Sequence, residues 1–260
     1  MEAAAAILNE AKASLHDASR RSMKDIIAER LATMIGSGAL SVGDPLPSER
    51  DLATAMGVSR ETIRGALLIL STRGILTIAQ GARTTVASDE VGELGLRKVL
   101  PSAGMERYAL DDVHESRLLV EERVARLAVS RIGPEALHRL AELIEAQEGA
   151  VDDPVRYLIL DREFHAVIYR ASGNRVLADL AVTLYAYLLD HRRRVVARSG
   201  AIERSIGDHR AILAALRAGD GEATAAAFGV HERRIYETTR RLMQREERPG
   251  RAPINGGEDT

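Results

Sequence analysis

The sequence contains no cysteine and no tryptophan, and only two phenylalanines. Without cysteine the chain can form neither a disulfide nor a thiolate metal site. Aromatic residues make up only 3% of the chain, so the core must be built from aliphatic side chains, and the abundance of alanine, leucine, arginine and glutamate favours helices. No stretch approaches the roughly 18 apolar residues of a membrane span, and the N-terminus does not read as a secretory signal. We therefore expect a cytoplasmic protein with no membrane partner.

The chain has 260 residues, which favours two domains. Its net charge of −2 argues against a generally basic nucleic-acid binder. The charge is unevenly distributed, however, because residues 19–87 contain nine Lys or Arg and six Asp or Glu, whereas the rest of the chain is net acidic. A modestly basic segment in an otherwise acidic chain is typical of a protein that contacts DNA through only a few side chains.

The N-terminal third follows the pattern of a winged helix-turn-helix. Apolar residues at helical spacing predict a helix over 22–35, and Ser48 begins a second helix, with Asp51 three residues on completing a capping box. Gly57 makes a turn and Ser59 caps a third helix, after which two short β-like runs form a hairpin. The third helix would lie in the major groove with its N-terminal residues at the base edges.

The first turns of that third helix offer groups suited to DNA. Arg60 and Arg64 carry guanidiniums that can pair with guanine or neutralise phosphates, and Ser59 and Thr62 carry hydroxyls suited to phosphate contacts. Arginine and threonine are also common on solvated helix faces. These four residues alone therefore leave a purely structural role open.

Residues 38–87 resemble the winged helix of the GntR superfamily of bacterial transcription factors. They carry the turn Gly-Asp-Pro-Leu-Pro-Ser-Glu-Arg, then Gly-Val-Ser-Arg-Glu-Thr-Ile-Arg at the recognition helix, then Arg-Gly-Ile-Leu before the wing. The resemblance implies that Arg50 holds a phosphate and that Gly81 is the wing-tip glycine. It also implies recognition-helix contacts at Ser59, Arg60, Thr62 and Arg64. The chain departs from the family at Ala82-Arg83, where a second wing glycine is usual, and at Gly65, where glutamate is frequent.

Four residues of the second half could hold a metal ion. Asp161 and His165 are four residues apart on a predicted helix, so both side chains leave the same face, and His209 and His231 lie on two later helices. One carboxylate and three imidazoles would suit a divalent transition metal. The spacing by itself does not bring the three helices together.

The stretches around these four residues resemble the FCD effector domain of the FadR-like branch of the same superfamily. They are Asp161 to His165, Ala171-Ser172-Gly173-Asn174, Asp208 to Leu213, and His231; a helix near residues 90–100 also fits this branch. The resemblance implies that Asp161, His165, His209 and His231 bind metal inside a helical bundle. We expect zinc, with nickel, manganese or iron as alternatives. The long-chain acyl-CoA-binding member of the branch lacks this metal set, so we do not expect acyl-CoA as the ligand.

An octahedral metal with four protein ligands retains one or two open positions, where a small carboxylate, a hydroxy acid or a sugar acid can chelate. Arg117 resembles a frequent arginine of the domain and could bind the carboxylate of this effector. An ion pair with Glu121 at i+4 is the alternative. Asn174 is a second candidate effector residue, with a helix N-cap as its alternative.

The sequence therefore predicts a mainly α protein: a winged helix-turn-helix (small α+β) followed by an all-α helical bundle of about seven helices. The expected segments are an N-terminal extension (1–18), the DNA-binding domain (19–88), the effector-binding and dimerisation domain (89–245) and a disordered tail (246–260). We expect a homodimeric repressor that binds an inverted-repeat operator in double-stranded DNA and responds to a metal-bound organic acid. A regulator that senses the metal itself is the alternative, and a metal-dependent hydrolase is a further one.

Overall fold

The structure is a computed structural model that describes residues 22–79, 83–91, 108–187 and 189–246. The expected N-terminal extension, the wing-tip Gly81, all but the first residues of the helix expected near 90–100 and nearly all of the tail lie outside these residues. The elements, in chain order, are α1 Met23–Gly36, α2 Glu49–Met56, α3 Arg60–Thr72, β1 Leu76–Thr77, β2 Thr85–Val86, α4 Leu110–Val129, α5 Pro134–Glu148, α6 Pro154–Ala171, α7 Arg175–Tyr187, α8 Leu189–Val196, α9 Ala201–Ala218 and α10 Gly221–Glu246.

The N-terminal elements form the predicted winged helix-turn-helix. The Ser48 hydroxyl accepts a hydrogen bond from the Asp51 amide (3.2 Å), and the Ser59 hydroxyl accepts one from the Thr62 amide (3.1 Å), so both serines cap helices as expected. Between these helices Gly57 has φ of +66°, a left-handed conformation that side chains other than glycine adopt at a cost. This glycine allows the tight turn that sets α3 against α2.

The two strands are shorter than the predicted runs and pair antiparallel, with Leu76 opposite Val86 and Thr77 opposite Thr85. Pro45 forms an isolated bridge to Thr85, which ties the turn before α2 to the wing. Within the described part of the hairpin two residue pairs form the ladder, with Leu76 and Val86 buried and Thr77 exposed.

Gly65, one of the departures from the family pattern, lies where α3 contacts α1. A Cβ at this position would be 3.2 Å from Cδ of Lys24, closer than an ordinary van der Waals contact. The glycine therefore permits close approach of α1, which compensates in part for its low helix propensity of about 1 kcal/mol relative to alanine.

The C-terminal part is all helical, and the structure confirms the predicted fold class. Seven helices, α4 to α10, lie within the described residues 108–187 and 189–246. The central helix is α6, whose residues from Tyr157 to Ala166 are all buried. A helix that is buried on every face must be covered on all sides by other helices, and α4, α5 and α7 pack against it. This position brings its polar residues into the interior.

Arginines also link the two parts of the chain. Arg193 of α8 donates hydrogen bonds to Asp44 and, at 3.1 Å, to the carbonyl of Ala39. Arg139 of α5 donates to the carbonyl of Ala55 (2.7 Å) near the C-terminus of α2, where the helix dipole favours a cation. Arg30 of α1 pairs with Glu163 of α6 at 3.1 Å. The winged helix thus rests on α5, α6 and α8 of the helical bundle.

Candidate metal centre and nucleic-acid interface

The structure brings together the four predicted metal ligands. One ligand atom from each of Asp161, His165, His209 and His231 lies within 4.8 Å of the other three, and all four residues are buried. Asp161 and His165 are one turn apart on α6, while α9 and α10 supply the other two imidazoles. The convergence that spacing alone could not establish is therefore present in the fold.

Neighbouring side chains orient the imidazoles. Nδ1 of His209 hydrogen bonds with Oε1 of Gln147 at 2.8 Å, Nδ1 of His165 lies 3.4 Å from the Tyr169 hydroxyl, and Nδ1 of His231 lies 3.4 Å from the Asp208 carboxylate. In His209 and His165 a partner for Nδ1 leaves Nε2 free to bind a metal, as outer partners commonly do in metal sites, whereas Nδ1 of His231 lies near Asp208 without a hydrogen bond in the described residues. All three Nε2 atoms are buried without a hydrogen-bond partner in the described residues.

Burial sets the charge state of the histidines. Desolvation, reinforced by His231, holds the pKa of His165 and that of His209 well below their ordinary value. Burial likewise lowers the pKa of His231, although Asp208 opposes the shift. At neutral pH the three rings are uncharged, which is the form that binds metal.

The two carboxylate oxygens of Asp161 face different partners. Oδ1 lies 3.4 Å from Nε2 of His209 and 3.9 Å from Nε2 of His165, so this oxygen points to the histidine cluster. Oδ2 accepts hydrogen bonds from the Tyr185 hydroxyl and from Arg192 at 2.6 Å. Burial alone would raise the pKa of Asp161, but Arg192 and then His209 and His231 bring it below the ordinary value. Asp161 is therefore ionised.

The donor set fits a divalent transition metal. One carboxylate oxygen and three neutral imidazoles are nitrogen and oxygen ligands of the kind that zinc, nickel, manganese or iron accept. The unpartnered Nε2 atoms would each cost free energy in the buried interior unless an ion or water satisfied them. The cluster has the chemistry of a metal centre rather than of a packed core.

The structure favours the alternative interpretations of the two expected effector residues. Arg117 is fully buried and pairs with Glu121 at 2.8 Å and with Glu232 at 2.9 Å, although its Nη1 has no partner in the described residues. Asn174 accepts a hydrogen bond from the amide of Leu177 at 3.1 Å, as a helix N-cap does.

Sequence reasoning missed Gln147 as part of the site, and it gave Arg192 only as one of a run of charges that could add positive potential to the pocket or be solvated. Arg192 is the second residue of the run His191-Arg192-Arg193-Arg194, which reads as a solvated charge cluster, yet only 2% of its surface is exposed. Consecutive residues of a helix point in directions about 100° apart, so one cation of such a run can face the interior while its neighbours do not. Gln147 gave no signal, because it lies 62 residues from its partner His209.

The residues expected to contact DNA lie together at the N-terminal ends of α2 and α3. Arg50, Ser59, Arg60 and Arg64 are exposed and Thr62 is partly buried. Arg64 is held by Glu49 of α2 through two hydrogen bonds of 3.3 and 2.9 Å, so its guanidinium is oriented but must exchange this partner to bind a base. The hydroxyls of Ser59 and Thr62 lie 2.9 Å apart.

Comparisons with known proteins agree with this architecture. The family described as bacterial regulatory proteins, gntR family, matches residues 24–86, and the FCD domain family matches residues 112–234. The chain belongs to the GntR family. Its FCD domain spans the helices that carry all four clustered residues, and its winged helix spans α1 to β2.

The relatives of this GntR-family chain are named as regulators. The HTH-type transcriptional repressor NanR of Cronobacter sakazakii is 28% identical over 87% of this chain and 88% of its own length. NanR of Escherichia coli K12 is 27% identical, over 84% and 85%. Among solved structures, E. coli McbR/YncC aligns with a TM-score of 0.52 at 23% identity, over 88% of this chain and 100% of that one, which supports the fold. These relatives are not named as enzymes, so the expected hydrolase alternative finds no support.

No helix in the described parts of the chain is both long enough and apolar enough to cross a bilayer.

Proposed function

We propose that this protein is a sequence-specific transcriptional repressor whose affinity for its operator is controlled by a small organic acid bound at a metal centre in the FCD domain. The observation that carries the proposal is the buried Asp161-His165-His209-His231 cluster, with its unpartnered Nε2 atoms, in a chain that also has a GntR winged helix. The names of the relatives support repression rather than activation.

DNA is read by the exposed N-terminal residues of α3. Arg60 and Arg64 contact bases or phosphates. Ser59 and Thr62 contact phosphates, and Arg50 at the start of α2 binds the DNA backbone. Gly81 at the wing tip completes the proposed contacts from outside the described residues. The protein acts as a homodimer, because two recognition helices are needed to read two half-sites about one helical turn apart.

The four clustered residues hold the ion, with zinc as the first candidate. A bound divalent ion supplies positive charge and open coordination positions that orient a carboxylate or a hydroxy acid. The chain contributes the neutral imidazoles, and Gln147 fixes the orientation of the His209 ring. Arg192, next to the Asp161 carboxylate, adds a cation for the acid group of the effector.

Helix α8 is the proposed route from the effector to the DNA-binding domain. Arg192 on this helix bonds Asp161 at 2.6 Å, and the next residue, Arg193, bonds Asp44 of the winged helix. An acid that recruits Arg192 away from Asp161 shifts α8 and with it the contact at Arg193. For regulation, the acid must bind one arrangement more tightly than the other, since equal affinity shifts nothing.

Two measurements test the proposal. Duplex DNA from upstream of the gene for this protein is titrated with the full-length chain, and Arg60→Ala and Arg64→Ala are each expected to weaken binding by about 1–3 kcal/mol. Arg123→Ala, an exposed change on α4, is the control. Metal content is measured after chelation and reloading, with one ion per chain expected.

Wild-type affinity for DNA in both arginine variants would overturn the recognition helix, and a chain that takes up no ion would overturn the metal centre. Operator binding measured first with increasing metal, and then with acids at saturating metal, distinguishes a protein that senses the acid from one that senses the ion. If metal alone changes DNA affinity and acids do not, the protein senses the ion instead.

A further inference from the structure

A pocket at the surface of the FCD domain is lined by arginines. It has a volume of about 410 Å³, and Arg198, Arg204, Arg234 and Arg241 line it together with Thr238 and Leu242. Pockets of this volume are the size of small-ligand sites. None of its lining residues in the described part of the chain is acidic. The charged side chains that line the pocket are therefore all cationic, and the pocket is open to solvent.

This pocket adjoins a smaller cavity that reaches His231 of the metal cluster. The cavity has a volume of about 30 Å³ and shares Arg204, Arg234 and Thr238 with the outer pocket, and its wall also includes Arg192 and one carboxylate, that of Asp208. The inner cavity has room for a group of about the size of a water molecule. A ligand whose acid group lies at the cluster would extend outward between the arginines of the outer pocket.

Two arginines of this path form no ion pair with described residues, and a third, Arg192, keeps free donors beside its pair with Asp161. In the inner cavity, Arg192 is 2% exposed, and its Nε and Nη1 atoms have no hydrogen-bond partner in the described residues. Farther out, Arg198 and Arg204 form no ion pair with any described residue. Arg234 pairs with Asp208 at 3.2 Å and Arg241 with Glu237 at 3.7 Å. A buried guanidinium with free donors is costly unless a ligand satisfies it.

From this arrangement we infer that the effector carries a second anionic group, a carboxylate or a phosphate, and that Arg204 and Arg241 at the pocket mouth bind it while its first acid group lies at the metal cluster. The inference rests on the proposed function and narrows the ligand class from organic acids in general to acids with two separated anionic groups. Arginine forms paired, charge-assisted hydrogen bonds with both carboxylate and phosphate. A ligand with one acid group would leave Arg198 and Arg204 without an anion.

Matched pairs of acids test this inference on the full-length, metal-loaded protein by isothermal titration calorimetry at fixed ionic strength. Glycerate and 3-phosphoglycerate have the same hydroxycarboxylate and differ in a distal phosphate. Lactate and malate likewise differ in a distal carboxylate. One pair or both should show a dissociation constant at least about tenfold lower for the acid with two anionic groups, and the pair with the larger ratio identifies the distal group.

The variants Arg204→Gln and Arg241→Gln should each reduce that ratio about tenfold, and Arg241→Gln, at a residue that does not line the inner cavity, should change the affinity for glycerate or lactate less than about twofold. Arg217→Gln is the matched control, because Arg217 is exposed on the same helix as Arg204 but in its last turn, about 20 Å away by helix geometry. Metal content and melting temperature confirm that each variant is folded and loaded.

Equal dissociation constants within both pairs, or a ratio that both arginine variants leave unchanged, would overturn the inference while leaving the metal-centred effector site in place. If the loaded wild-type protein binds none of the four acids, the inference is overturned together with the acid-sensing part of the proposed function.

Discussion

Replacing Gln147 with leucine is expected to weaken metal binding without removing any of the four ligands. Gln147 is fully buried, and its Oε1 accepts the 2.8 Å hydrogen bond from Nδ1 of His209 that turns Nε2 toward the cluster. Loss of such an outer partner costs about 10–100-fold in metal affinity. Leucine has a similar volume, so the substitution removes the hydrogen bond and leaves little cavity.

The size of the effect follows from mass action. Free metal at 100 times the dissociation constant stabilises the folded wild-type protein by about 2.7 kcal/mol, whereas a site weakened tenfold or hundredfold would gain about 1.4 or about 0.4 kcal/mol at the same metal concentration. The apo variant also loses stability, because Nδ1 of His209 is left without its partner, at a cost of about 1–3 kcal/mol. The increase in the free energy of unfolding on adding metal therefore measures the effect of the substitution on metal binding, whereas the stability of the metal-free variant does not.

Competition with a metal-binding dye gives the dissociation constant directly, and thermal unfolding with and without metal gives the increment. Gln244→Leu is the control, since Gln244 is exposed on α10 and away from the cluster. An unchanged dissociation constant in Gln147→Leu would refute the conclusion that this side chain orients a metal ligand.

Three further predictions concern the ligands, the DNA contact and the link between the domains. His209→Ala should lose the metal and the response to acids while keeping most DNA affinity in a mobility-shift assay, whereas His138→Ala, at an exposed position, should change neither. Arg60→Ala should weaken operator binding similarly across related operator sequences if it contacts phosphate, and should relax specificity at one position if it contacts a base. Arg193→Ala should reduce the effect of the acid on operator affinity with metal content unchanged. Arg193 also lowers the pKa of Asp44. The pair therefore stabilises the fold at pH values above the unfolded pKa of about 3.9, and this stabilisation is lost as the pH falls through the lower pKa of the folded state. In the Arg193→Ala variant the free energy of unfolding should consequently fall less steeply in acid than in the wild type.

The N-terminal domain was the part most readily predicted, because its signals are local. Ser48 and Ser59 cap helices that begin one residue later, and Gly57 makes the turn between them. The wing was predicted in the right place but too long, since β propensity does not reveal how many residues find a partner strand.

The metal cluster could be predicted from the sequence only through the family resemblance. The i,i+4 spacing places Asp161 and His165 on one face, but whether α9 and α10 bring His209 and His231 to that face depends on tertiary packing. The environment of Arg117 shows the same limit. Its pair with Glu121 is local and visible in the sequence, whereas its pair with Glu232 joins residues 115 positions apart.

The outer pocket could not have been predicted at all. The four arginines of the pocket come from the turn after α8, from α9 and from α10, and in the sequence each of them looks like an ordinary exposed cation: Arg198, Arg204, Arg234 and Arg241. Only the packing of these helices gathers the four into one wall.

The most direct test of the central claim is the operator affinity of the full-length chain, measured by fluorescence anisotropy with metal absent, with metal present, and with metal and an acid that binds it. We expect the acid to change the dissociation constant for operator DNA at least about fivefold, a usual size for allosteric coupling, and only when metal is bound and His209 is intact. If the chain binds no upstream DNA in any of these states, or if the acid acts equally on His209→Ala, the account is contradicted.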